Sequence, residues 1–189
     1  MMLLARISAR PLACLLLALL ALSPAGVAHA DVLTVNAKGT IGTSCTLAAS
    51  SQFAAPDLSA SGSVTAQASV NCNTGFKINA LSANGAIANG TVAPANFTNL
   101  VPYALTLSVP LESGTPNPIT ATCASSTLVA GQSGCALSPA DPGGLSSGGK
   151  ASINKTATLT VAYTVPALPT RLIAGSYSDT ITLTIAAVP

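Results

Sequence analysis

The chain has 189 residues, of which 6% are charged and 3% aromatic, and its formal net charge is +2. So little charge excludes a protein held to nucleic acid by phosphate contacts, and it offers no basic surface for an anionic membrane. With a single histidine and no tryptophan, little is left for acid–base or metal chemistry.

Residues 1–30 read as a secretory signal peptide. Arg6 and Arg10 form a basic start, Leu12 to Leu22 is apolar, and Ala28-His29-Ala30 is a small-x-small cleavage site behind Ser23-Pro24. The apolar part is too short for a membrane span. The mature chain is expected to begin at Asp31, without His29 and Cys14. Its charges then balance: Lys38, Lys77, Lys150, Lys155 and Arg171 against Asp31, Asp57, Glu112, Asp141 and Asp179. Cys45, Cys72, Cys123 and Cys135 remain. An even number of cysteines in an exported chain suggests disulfides. Three pairings are open, and Cys45–Cys72 with Cys123–Cys135 is the expected one. A zinc site is the rival reading, but it lacks a CxxC spacing and a histidine.

The length fits one domain, and the Ser, Thr, Ala, Gly, Val and Asn content favours strands and turns. Val32 to Ile41 alternates, with Leu33, Val35, Ala37 and Ile41 on one side. Thr46 to Ala49 can continue it past Cys45. Phe53 to Gly62 reads as a loop. Ser63 to Cys72 puts Val64, Ala66, Ala68 and Val70 on one face, and a turn at Asn73-Thr74-Gly75 leads to a strand over Phe76 to Ser82. Asn84 to Leu100 is punctuated by Gly, Asn and Pro and reads as a loop. Val101 to Val109 carries Tyr103, Leu105, Leu107 and Val109 inward. Pro110 to Ser152 is the least regular region, within which Ile119 to Cys123 can pair. Ala157 to Val165 is another strand, and Pro166 and Pro169 force a crossing segment. A final strand places Tyr177, Asp179, Ile181, Leu183 and Ile185 on one face and Ser178, Thr180, Thr182 and Thr184 on the other. No segment has a helical period. Short strands between turn signals predict an all-β sandwich, with a closed barrel as the alternative. The strand from Tyr177 is apolar enough for the middle of a sheet, yet no further strand follows it, so its free edge is expected to need a cover.

Enzymatic chemistry is not expected. The carboxylates are scattered, and Asp179 reads as structural. Ser152-Ile153-Asn154-Lys155 fits the S-x-x-K pattern of acylating enzymes but lacks the helix and partner motifs that mechanism needs. Asn89-Gly90-Thr91, Asn96-Phe97-Thr98 and Asn154-Lys155-Thr156 are glycosylation sequons expected on surface turns. Tyr103, Tyr163 and Tyr177 read as core packing. No cofactor, metal or small-molecule substrate is expected, and no nucleic acid.

Four stretches, in order, resemble the spore coat protein U domain family, which includes the pilin subunits of archaic, Csu-type chaperone–usher pili. They are GTIGTSCTL (39–47), SVNC (69–72), VPYALTL (101–107) and AGSYSDTITLTI (174–185). The strongest is the G-x-Y-x-D-T stretch with the alternating residues after it. The positions of Cys45 and Cys72 match the family's disulfide, whereas Cys123, Cys135 and the Gly/Ser/Pro-rich stretch around them depart from it. The resemblance implies an incomplete immunoglobulin-like β-sandwich, residues 44–189, completed by a donor strand from residues 31–43. Leu33, Val35, Ala37 and Ile41 would be the donor residues. Tyr177, Ile181, Leu183 and Ile185 would line the acceptor groove. The implied partners are a periplasmic chaperone, an outer-membrane usher and other copies or related subunits. The implied destination is a surface fibre supporting adhesion or biofilm formation. Burying Leu33, Val35 and Ile41 alone does not offset the entropy of ordering ten residues, so long main-chain pairing in one register is needed. A secreted coat-like protein of the same fold, self-complemented or layer-forming, is the alternative.

Overall fold

The computed structural model describes residues 38–49, 53, 57–140 and 144–188. The expected signal peptide lies outside the described residues, and so do Leu33, Val35 and Ala37. The described chain is all-β. In chain order the strands are β1 (Cys45–Ala49), β2 (Gly62–Cys72), β3 (Gly75–Ser82), β4 (Ile87–Ala88), β5 (Phe97–Thr98), β6 (Leu100–Val101) and β7 (Tyr103–Val109). They continue with β8 (Ile119–Ala124), β9 (Leu145–Ser146), β10 (Ser152–Tyr163), β11 (Arg171–Leu172) and β12 (Ile181–Val188).

Two sheets carry the fold. One is five-stranded and antiparallel, in the order β1-β2-β10-β7-β8; the other runs β12-β3-β9. Alternation places Ala66, Ala68 and Val70 of β2, Leu105 and Leu107 of β7, and Leu159 and Val161 of β10 on the inner face of the first sheet. Phe76, Ile78 and Ala80 of β3 answer from the second, and all join one buried cluster. Register keeps these rows aligned: Leu159 lies opposite both Leu107 and Ala66, and Val161 opposite both Leu105 and Val64. The arrangement agrees with the all-β sandwich expected from the strand pattern and is consistent with the immunoglobulin-like form that the resemblance implies.

Several chain connections cross between the sheets. The turn at Asn73 and Thr74 takes the chain from β2 in one sheet to β3 in the other, so these consecutive strands are not hairpin partners. The segment after β10, with Pro166 and Pro169, returns it to β12. Both disulfides form, Cys45–Cys72 and Cys123–Cys135. The first joins directly opposed residues of β1 and β2.

Several boundaries differ from expectation. Pro102, which has no N–H to give a ladder, separates β6 from β7 in the expected Val101–Val109 strand. The strand expected from Ala157 starts earlier, at Ser152, across a bulge before Lys155 in which Asn154 takes φ 51. Regular pairing of the final strand begins at Ile181, not Tyr177; Ser178 makes only an isolated bridge to Ala88. Among the sequons, Asn96 and Asn154 are exposed, but Asn89 is buried at 6% exposure. Its side-chain oxygen accepts from Thr91 N–H, which makes it a local brace and not a surface turn.

The irregular stretch after β8 has a structural task. Leu128 and Leu137, both fully buried, present carbonyls to the N–H groups of Ser82 and Ala80 at 2.9 and 2.8 Å. Further along β3, β9 pairs with Lys77 and Ile78, and Ser147 exchanges bonds with Phe76. One edge of β3 is therefore covered in pieces, while β12 occupies the other. The Cys123–Cys135 bond ties this cover to the buried face of β8.

Candidate functional site

The edge strands β1 and β12 belong to different sheets and approach each other on the same side of the sandwich. Among the described residues, β1 pairs only with β2, and β12 only with β3. Between them opens a cavity of about 320 Å³, lined by Leu47, Ala49 and Phe53 on one wall and Ile181 and Leu183 on the other. Ala66, Ala68 and Leu159 form its floor and belong to the buried core. Leu47, Phe53, Ile181, Leu183 and Ile185 are only half-buried. Core side chains thus reach an unroofed slot beside two strand edges whose outward main-chain groups lack a strand partner among the described residues. Unpaired edges beside apolar surface are a template for another strand.

Of the residues expected to line an acceptor groove, Ile181 and Leu183 lie in the slot and Ile185 continues their row along β12. Tyr177 stands ahead of β12. Its hydroxyl donates to the Ile173 carbonyl at 2.9 Å, closing the turn before the strand. Of the expected donor residues only Ile41 is described; it is 91% exposed and in no strand.

Local sequence explains how β12 is aimed. Gly175 takes φ +140, where an L side chain is strained, and a Cβ there would lie 2.4 Å from the Asn89 amide nitrogen. Two residues on, Tyr177 ties the turn; two further, Asp179 anchors the start of the strand. Asp179 Oδ2 accepts from the Tyr103 hydroxyl and from Ser82 Oγ, each at 2.6 Å. Its Oδ1 accepts from the N–H groups of Asn84 at 3.0 Å and Thr180 at 2.8 Å. Tyr103 belongs to β7 and Ser82 to β3, so one carboxylate joins both sheets at the root of β12. Burial, and then the hydrogen bond to Asp179, push the Tyr103 phenol above its ordinary pKa of 10.0.

The start of β1 is fixed by Cys45–Cys72 and by Asn73, which holds the residues ahead of the strand. The role of Asn73 was not legible as a motif; an asparagine directly after a strand-end cysteine was the available signal. The Ser152–Lys155 pair makes no reactive arrangement. Ser152 is fully buried and donates to the Pro110 carbonyl at 2.7 Å, while Lys155 pairs with Glu112 at 3.2 Å on the surface. The Ile153 N–H and then Lys155 hold the Glu112 carboxyl below its usual pKa. Compared with known proteins, the chain matches no family model and no curated protein.

Proposed function

We propose that this chain is an exported structural subunit of a surface fibre that polymerises by strand addition. The leading segment of one copy, through Leu33, Val35, Ala37 and Ile41, fills the slot between β1 and β12 of the next. The carrying observation is the slot: half-buried Leu47, Phe53, Ile181 and Leu183 between two strand edges that have no strand partner among the described residues. An extended segment supplies main-chain pairing to such edges, and its alternate side chains fill the apolar floor. The resemblance to spore coat protein U and archaic pilin subunits supports the same reading. So does the alternation of residues 32–41, whose apolar set would turn outward if the register slipped by one. In this reading the exposed slot is first capped by a periplasmic chaperone and delivered through an outer-membrane usher, and the fibre serves adhesion or biofilm formation. No catalytic step or cofactor takes part.

Deleting residues 31–37 tests it. In cells supplied with a chaperone and usher of the archaic pilus type, the truncated chain is expected to remain bound to the chaperone and to yield no fibres by electron microscopy. Fibres of normal length from the truncated chain would overturn the proposal. A truncated chain that loses its own thermal stability as a monomer would favour a self-complemented coat protein.

A further inference from the structure

The residues ahead of β1 do not leave the sandwich freely, because Asn73 holds them at three points. Its backbone N–H donates to the Ser44 carbonyl at 3.1 Å. Its side-chain Oδ1 accepts from Ser44 N–H at 2.9 Å, and its Nδ2 donates to the Gly42 carbonyl, also at 2.9 Å. Cys45 is register-paired and disulfide-bonded with Cys72, so Ser44 lies opposite Asn73 as the next rung. The amide side chain extends the pairing by two further bonds beyond the end of β1. Among the described residues there is open space here: a Cβ at Gly39 or Gly42 would meet nothing within 4 Å. Glycines in open space would otherwise let the chain turn easily.

Direction gives this clamp its meaning. Val188 pairs with Gly75, just after the turn that begins at Cys72, so β12 ends near the point where β1 begins. The slot lies further along both strands, where Leu47 and Ala49 of β1 face Ile181 and Leu183 of β12. To enter it, the segment ahead of β1 must reverse within Gly42–Ser44 and lie back beside its own β1. Those three residues are instead held in line with β1.

We propose that Asn73 decides between self-insertion and insertion into a neighbour: by keeping Gly42–Ser44 in line with β1, it directs the preceding segment to the slot of a second copy. This rests on the strand-addition reading above. It makes Asn73 a positioning residue, outside the slot itself.

The test compares the wild-type mature chain with Asn73→Ala, each refolded with disulfides intact over a series of concentrations. Monomer and polymer are separated by analytical ultracentrifugation. Insertion in a neighbour depends on concentration, and self-insertion does not. Asn73→Ala is expected to raise the monomer-to-polymer ratio about tenfold, the scale of two lost side-chain hydrogen bonds. Its monomer should melt at a temperature independent of concentration. Gly42→Ala, which narrows the freedom to reverse, is expected to lower the ratio severalfold and covers the case in which Asn73→Ala does not fold. A wild-type ratio in a folded Asn73→Ala, or an unchanged or raised ratio in Gly42→Ala, overturns the role of Asn73. A wild-type chain that stays monomeric at every concentration would instead overturn the strand-addition reading.

Discussion

Asp179 shows how much one side chain can fix. Its carboxylate gathers donors from β3, from β7, from the β3–β4 turn and from the β12 root. The alternation of residues 177–185 was read as one strand, and that pattern cannot distinguish a strand residue from an anchor just before it. The hydrogen bonds decide the matter: Asp179 accepts from its own neighbour, Thr180 N–H, while the Thr180 carbonyl accepts from Ala83 N–H and leads into the ladder. The raised pKa of Tyr103 has a signed consequence. The folded chain keeps the phenol proton more tightly than the unfolded chain, so this contribution to stability is complete below about pH 10 and is lost as the pH rises further. Melting temperature is expected to hold level from neutral pH to about pH 9 and to fall above about pH 10. Tyr103→Phe should cost about 1 kcal/mol at neutral pH and make the alkaline fall shallower. An equally steep fall in Tyr103→Phe would show that another group is responsible.

At the scale of elements, the long strands were legible because alternation of apolar residues records burial of one face directly. β2, β7 and β10 follow their expected faces through Val70, Leu107 and Val161. The stretch between Pro110 and Ser152 was not legible in the same way. Leu128 and Leu137 serve as single rungs against β3, separated by turns, and isolated rungs leave no period in a sequence. Their effect is to occupy the β3 edge opposite β12. The Cys123–Cys135 bond secures them. Replacing both cysteines with serine is expected to cost about 2–4 kcal/mol. The N–H groups of Ala80 and Ser82 should lose hydrogen-exchange protection while those of central β10 keep theirs. Retained protection at Ala80 and Ser82 would mean that the loop holds its place without the disulfide.

At the scale of the molecule, the two sheets share one core that is open along the flank of β1 and β12. The flank lies where β1 and β12 approach without pairing, and its floor is continuous with the core through Ala66, Ala68 and Leu159. A sandwich in this state is stabilised by anything that binds the flank and not the unfolded chain. The sequence pointed to this flank through Ile181, Leu183 and Ile185. It could not reveal the facing wall of Leu47 and Phe53, since that wall is brought there by the long-range pairing and disulfide that hold β1 beside β2. The most direct measurement uses a chain lacking residues 31–41 and a synthetic peptide of that segment. Melting temperature and hydrogen exchange at β12 are followed as peptide is added, with a Leu33→Asp, Val35→Asp peptide as control. The wild-type peptide is expected to raise the melting temperature with concentration and to protect β12 amides, and the control to do neither. Equal effects of the two peptides, or no effect of either, would contradict the account.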